Sequence, residues 1–307
     1  MSTTAGIRLD HRDLEFLSAL GRYGLLTTED AHDFYPGLKR NSVQKRLRLL
    51  VGAGVTRATK LAVWFADDQN TQNGGRIPSL HSLTETGASL VESQTGQRPQ
   101  RVLRSHPTPA TFLHRREIVR VMRAFDLGCD AVSLARPNWV MEQDPWAGAP
   151  RKVPPNQRRL LYHEFDGGLT CLPDIACRFR IGQTELALFW EVDLSTEGKK
   201  QLRKASKTDG YVRLFNDRAF HRYWPDLATT RCYVIWVFPT SKRIATLREV
   251  LSGHMIAPAC RLLSAKNLDQ SSTLLTTEVW ETVDGERRVM YRPTRLGNVT
   301  DRLKREV

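Results

Sequence analysis

The chain is 307 residues long, with a formal net charge of +13 at pH 7 and 40% hydrophobic residues. That length accommodates two domains with cores of their own, and the positive balance favours a polyanionic partner. No apolar run reaches membrane-spanning length, the polar opening residues form no signal peptide, and the five cysteines contain no C-x-x-C pair, which excludes a disulfide framework or structural zinc and points to a reducing cytoplasm.

Residues 13–23 carry Leu14, Phe16, Leu17 and Leu20 at helical spacing, ended by Gly21 and Gly24. A Thr at 27–28 with an acid three residues on opens a short second helix through Phe34. After a turn at Pro36-Gly37, Asn41 or Ser42 caps a third helix whose stripe is Val43, Leu47, Leu50 and Val51. Lys39, Arg40, Lys45, Arg46 and Arg48 cluster there with no acid among them. Strands at 61–65 and 81–84, joined by a polar loop with Gly74-Gly75, precede a helix from Glu85 to about Gln94. Three helices and then a two-stranded hairpin spell a winged helix over residues 1–96. Its third helix would offer Arg40, Ser42, Gln44, Lys45 and Arg48 to duplex DNA, with Arg46 nearer phosphate or packing. The alternative is a small helical domain with a solvated basic face or a protein-docking role.

Residues 97–112, with Pro99, Pro107 and Pro109, read as a linker. From Leu113 a helix turns Ile118, Val121, Met122 and Phe125 inward and Arg115, Arg116, Arg120 and Arg123 outward. Strands are expected at 131–140, 158–165, 232–238 and 274–280, with helices at 197–214 and 242–251 and a loop at 144–155. A loose basic tail covers 281–307. This alternation implies a C-terminal α/β domain over 113–280, a mixed sheet flanked by helices.

The centre of that domain is residues 172–211. Residues 186–190 are uninterruptedly apolar, as in a strand buried on both faces. Glu191 and Asp193 follow, two residues apart and so on one strand face, and Asp174 stands behind Pro173. Three carboxylates at strand ends suit a hard cation, Mg2+ or Mn2+. Lysines from the following helix, Lys200, Lys204 or Lys207, are the cations the spacing offers. The same acids against Lys199 and Lys200 also read as a solvated ion-pair cluster. Glu164 is a weaker extra acid, and the histidines show no metal-ligand spacing.

Pro173-Asp174 followed by Glu191-Val192-Asp193 resembles the core motif of the restriction-endonuclease-like superfamily, the PD-(D/E)XK nucleases. The whole chain is similar to the bacterial replication-relaxation family of plasmids and other mobile elements. The likeness rests on residues 14–20, 47–50, Leu83-Thr84-Glu85-Thr86-Gly87, Phe112-Leu113-His114-Arg115-Arg116-Glu117, Leu172-Pro173-Asp174 and Glu191-Val192-Asp193 with Lys207 and Tyr211. The resemblance implies a role in plasmid replication, relaxation or mobilisation on double-stranded DNA, with a relaxase or replication initiator as partner. It implies Asp174, Glu191 and Asp193 as metal and catalytic acids. The superfamily's lysine position is Asp193 here, so either Lys200, Lys204 or Lys207 replaces it or the nuclease fold is retired and the protein is a non-catalytic accessory or regulator. Winged helices often pair as homodimers, though no heptad or long apolar helix is present to do so.

Overall fold

The computed structural model describes residues 3–4, 7–60, 79–103, 107–150, 152–154, 157–194, 202, 204–229 and 231–292. They divide into two compact units, Met1–Val119 and Arg120–Val307.

The first unit opens with a short antiparallel pair, β1 (Thr3–Thr4) and β2 (Ile7–Arg8). Helix α1 (His11–Tyr23) starts on a capping box, in which Asp10 accepts from the Asp13 amide and Asp13 accepts from the Asp10 amide. It buries Phe16, Leu17 and Leu20 and stops at Gly24, whose φ of 80° suits glycine. Strand β3 (Leu26–Thr27) follows. The expected second helix is a single 3-10 segment, Asp30–Phe34, because Asp30 turns back to Thr27 and the two exchange hydrogen bonds before a full turn can build. Helix α2 (Arg40–Gly52) buries Val43, Leu47 and Leu50.

Strands β4 (Thr56–Thr59) and β5 (Leu80–Leu83) pair antiparallel, and β3 pairs with the other edge of β5, giving the order β3-β5-β4. The partner of β5 thus starts earlier than expected, while the strand expected at 61–65 and the Gly74-Gly75 loop lie outside the described residues. Helix α3 (Glu85–Thr95) is capped by Thr84, which accepts from the Gly87 amide. A Cβ on Gly87 would sit 2.2 Å from the Val55 carbonyl oxygen, so only glycine lets this helix approach that turn.

Helix α4 (Pro109–Ala131) begins inside the segment expected to be linker, with proline at the helix start where it costs no hydrogen bond, and the division between the two units falls within it. The second unit is built on a seven-stranded mixed sheet. Its strands are β6 (Asn138–Met141), β9 (Ile175–Ile181), β10 (Thr184–Val192), β11 (Cys232–Phe238), β12 (Cys260–Ser264), β13 (Trp280–Glu281) and β14 (Arg287–Arg288), in the spatial order β14-β13-β12-β11-β10-β9-β6. A separate hairpin, β7 (His163–Glu164) with β8 (Thr170–Cys171), lies between β6 and β9 in sequence. β6, β9 and β10 form an antiparallel meander. β10, β11 and β12 are parallel, connected through helices α5 (Asp209–Asn216) and α6 (Ser241–Leu251).

Several sequence expectations shift here. The strand expected at 131–140 is confined to β6, because Ser133 at a φ of 56° and Pro137 break the run before it. That at 158–165 reduces to β7, and residues 274–279 form turns that leave only Trp280 and Glu281 in the sheet. Strand β12 follows a 3-10 turn at Ala257–Ala259 and is not among the strands expected from the sequence. Of the helix expected at 197–214, residues 195–201 and 203 lie outside the described set, Leu202 is helical, and the rest is a 3-10 turn at Ala205–Lys207 followed by α5. The expected tail starts inside the sheet, since Arg287 and Arg288 pair with β13.

One face of the sheet packs Ala187, Phe189, Val234, Trp236 and Leu262 against Tyr211 and Leu214 of α5 and Leu247 and Leu251 of α6. On the other, Phe125 of α4 meets Trp139, Phe179, Trp190 and Trp280 edge-on at 5.0–6.3 Å. The apolar run at 186–190 is buried on both faces because β10 is an interior strand of the sheet.

Candidate functional site

The β9/β10 meander brings the first two acids together. In its register Trp190 opposes Ile175, so Asp174, the residue before β9, lands beside the end of β10. Pro173 before it needs no ladder donor. The Asp174 amide donates to the Trp190 carbonyl at 3.1 Å, and its Oδ2 accepts from the Val192 amide at 2.7 Å. The carboxylate is thereby fixed across the strand end next to Glu191.

Glu191 is 3% exposed and shares the β10 face with Phe189. The Tyr211 hydroxyl donates to its Oε1 at 2.6 Å and the Lys207 ammonium to its Oε2 at 3.1 Å. Lys207 also lies 5.7 Å from the centroid of the Trp236 ring, so the ammonium is held between a carboxylate and an aromatic face. Both donors come from the 3-10 turn and the first turn of α5. That segment reaches the sheet because Gly210 passes against β8, where a Cβ would lie 2.6 Å from the Thr170 carbonyl oxygen.

Burial above all, with the neighbouring Asp174 charge, raises the Glu191 carboxyl to about 7 against the opposing pull of Lys207 and the Tyr211 hydroxyl. Burial and the Glu191 charge push the Tyr211 phenol well above its ordinary value, so it is a donor at any physiological pH.

Asp193 points elsewhere. Its Oδ2 accepts from Nε and Nη2 of Arg243, both at 2.7 Å, and its amide donates to the Val237 carbonyl. Arg243 was not among the sequence candidates, and nothing local marks it, since it lies in the first turn of α6 on another part of the chain. Lys204 is exposed and its carbonyl accepts from the Lys207 amide, whereas Lys199 and Lys200 lie outside the described residues. Glu164 is exposed on β7. His163 is a core residue: burial, then the Arg222 charge, lowers it to about 3.

Among the described residues no group of three His, Cys, Asp or Glu is arranged to hold a metal ion. A magnesium ion held by one or two carboxylates together with water and phosphate oxygens needs no such cage, and Asp174 with Glu191 supplies hard oxygen donors of that kind.

On α2, Arg40, Ser42, Lys45 and Arg48 are exposed and Gln44 is half-buried. Arg40 makes a long pair, 3.9 Å, with exposed Glu29. Arg46 instead turns inward, donating from Nε to the fully buried Asp13 at 2.8 Å and from Nη2 to the Arg8 carbonyl at 2.6 Å. The Tyr35 hydroxyl completes this node at 2.9 Å from Asp13. Leu49, 56% exposed, is an apolar side chain standing among the basic ones. No helix among the described residues is long and apolar enough to cross a membrane.

No protein-family model and no curated protein matches the sequence. Among solved structures, the small subunit (R.BspD6I2) of the heterodimeric restriction endonuclease R.BspD6I is similar at 15% identity over 65% of this chain and 78% of that one, with a TM-score of 0.29. Restriction endonuclease FokI is similar at 10% identity over 88% of this chain and 64% of that one (TM-score 0.25), and its DNA-bound form at 12% over 83% and 62% (TM-score 0.26). Likenesses at these TM-scores carry neither fold nor activity to this chain, whose own geometry has to bear the functional reading.

Proposed function

We propose that the chain is a DNA-binding protein in which residues 1–96 form a winged helix and residues 113–280 a restriction-endonuclease-like domain that nicks or cleaves DNA with Mg2+ or Mn2+. The observation that carries the nuclease reading is the convergence of Asp174, Glu191 and Lys207 at one strand end, from segments separate in sequence. Support for the winged helix is the element order α1, β3, a 3-10 turn, α2, β4, β5 with the exposed basic face of α2. A role in replication, relaxation or mobilisation of a plasmid or other mobile element, with a relaxase or initiator as partner, rests on the family resemblance alone.

In this reading Asp174 and Glu191 hold the metal. When bound, the ion supplies Lewis-acid stabilisation of charge on phosphate oxygens and acidifies water. Tyr211 keeps the Glu191 carboxylate in one orientation, and the Lys207 ammonium offsets charge that grows on the phosphoryl group. Lys207 rather than Lys204 is the cation for that task, since its ammonium reaches Glu191. On α2, Lys45 and Arg48 contact phosphate or base edges, with Arg40, Ser42 and Gln44 beside them.

A second reading is a DNA-binding accessory or regulator on a retired nuclease fold. It is favoured by the engagement of both Glu191 oxygens and by the Asp193–Arg243 pair, which withdraws the third acid. Supercoiled-plasmid cleavage with Mg2+ or Mn2+ separates the two. Nicking or linearisation lost in both Asp174→Ala and Glu191→Ala supports the nuclease. No cleavage with DNA binding retained supports the accessory reading.

A further inference from the structure

We infer that Arg243, anchored by Asp193, is a phosphate-binding residue beside the carboxylate pair, a role that goes beyond the proposed nuclease reading while resting on its DNA-binding part. Asp193 occupies the position two residues after Glu191, on the same strand face and about 7 Å along it. Its carboxylate, 2% exposed, takes two charge-assisted bonds from the guanidinium, whose side chain keeps 13% of its surface open. An ion pair this buried is weak as a source of stability, because desolvation offsets most of the attraction. What it does provide is a guanidinium fixed in direction.

That direction matters because of where the pair sits. Asp193 follows the end of β10, and its amide bonds to Val237 near the end of the parallel strand β11. The carboxyl ends of β10 and β11 are neighbours there, so the Asp193–Arg243 pair and the Glu191–Lys207 pair lie at the same end of the sheet. Arg243 lies in the first turn of α6, capped by Thr240, with exposed Lys242 next to it. On the neighbouring strand Trp236 faces Lys207. Lys207 and Arg243 therefore both stand at the carboxyl ends of β10 and β11, Lys207 on Glu191 and Arg243 on Asp193 two residues further along. Cations around an acid pair match a phosphodiester backbone, whose oxygens accept from guanidinium and ammonium groups.

The test measures affinity of the full chain for a random-sequence DNA duplex in calcium across a salt series, alongside thermal stability. With one phosphate no longer neutralised, Arg243→Gln should lower the slope of log affinity against log salt by about 0.9 and weaken binding roughly tenfold at low salt. Arg243→Lys, which keeps the charge, should keep the slope. Asp193→Asn removes the anchor and leaves the cation, so it too should keep the slope while losing stability. If Arg243→Gln and Asp193→Asn lose stability alike and neither moves the slope, the pair is only a structural tie and the inference is overturned. A native chain that does not bind the duplex overturns it as well. Plasmid cleavage by the native chain, run in parallel, separates the two claims: no cleavage with a lowered slope removes the nuclease and keeps the Arg243 assignment, and cleavage with an unchanged slope does the reverse.

Discussion

The Tyr211 hydroxyl donates to Oε1 of Glu191 at 2.6 Å inside a core where the tyrosine is fully buried and the carboxylate nearly so. This bond and the Lys207 interaction at Oε2 occupy both carboxylate oxygens, so the acid has one orientation and two donors that depend on the docking of α5.

Removing the phenolic hydroxyl leaves the ring packing in place and one buried oxygen without its donor. Tyr211→Phe should therefore cost about 1–3 kcal/mol of stability, the range for a buried acceptor left unsatisfied. The Glu191 carboxyl should also titrate higher, because the lost bond favours its ionised form. Urea unfolding and carboxyl-selective NMR titration check the two halves, and an unchanged midpoint would mean the bond contributes nothing.

Glu191 sets a pH dependence whose sign follows from its raised value. Between its ordinary value of 4.5 and about 7 the native chain holds a proton that the unfolded chain has released. Stability from this group is then present below 4.5 and falls as pH rises towards 7, by on the order of 3 kcal/mol in total. Glu191→Gln, a mimic of the protonated acid, should lack that fall. In melts in chelator at pH 5 and pH 8, the native chain should lose ground to the variant at the higher pH. Parallel curves would show that the carboxyl titrates normally.

Lys45 and Arg48 are exposed on α2, so replacing both by alanine should leave stability within about 0.5 kcal/mol. If α2 is the DNA-facing helix, the same change should lower the salt slope of duplex binding by about two and the affinity by about one to two orders of magnitude. Electrophoretic or fluorescence titration at several salt concentrations measures both. Unchanged binding would move the DNA surface to the second unit.

Arg46 lies on the same helix but should respond in the opposite way. Arg46→Ala strips the fully buried Asp13 of its cation and should destabilise the first unit by about 3 kcal/mol, while Arg12 and Tyr35 remain nearby. Thermal unfolding tests this, and Asp13→Asn combined with Arg46→Ala should recover part of the loss.

Local chemistry wrote much of this molecule into its sequence. Apolar spacing marks α1 and α2, the run at 186–190 reads as a strand buried on both faces, and α3 begins at Glu85 where a helix is expected. Asp174 and Glu191 were legible because a strand ending in an acid repeats a short, recognisable pattern. Which cation meets which acid was not legible. Arg46 and Arg48 are both basic residues of one helix, yet only tertiary packing turns Arg46 to Asp13 and leaves Arg48 in solvent. In the same way Lys207 and Arg243 are chosen over the other basic residues because the parallel pairing of β10 with β11 brings the segments that follow them to the same strand ends. Spacing along a chain encodes which face a residue takes within its own element, and partners from distant elements are selected only when the sheet closes.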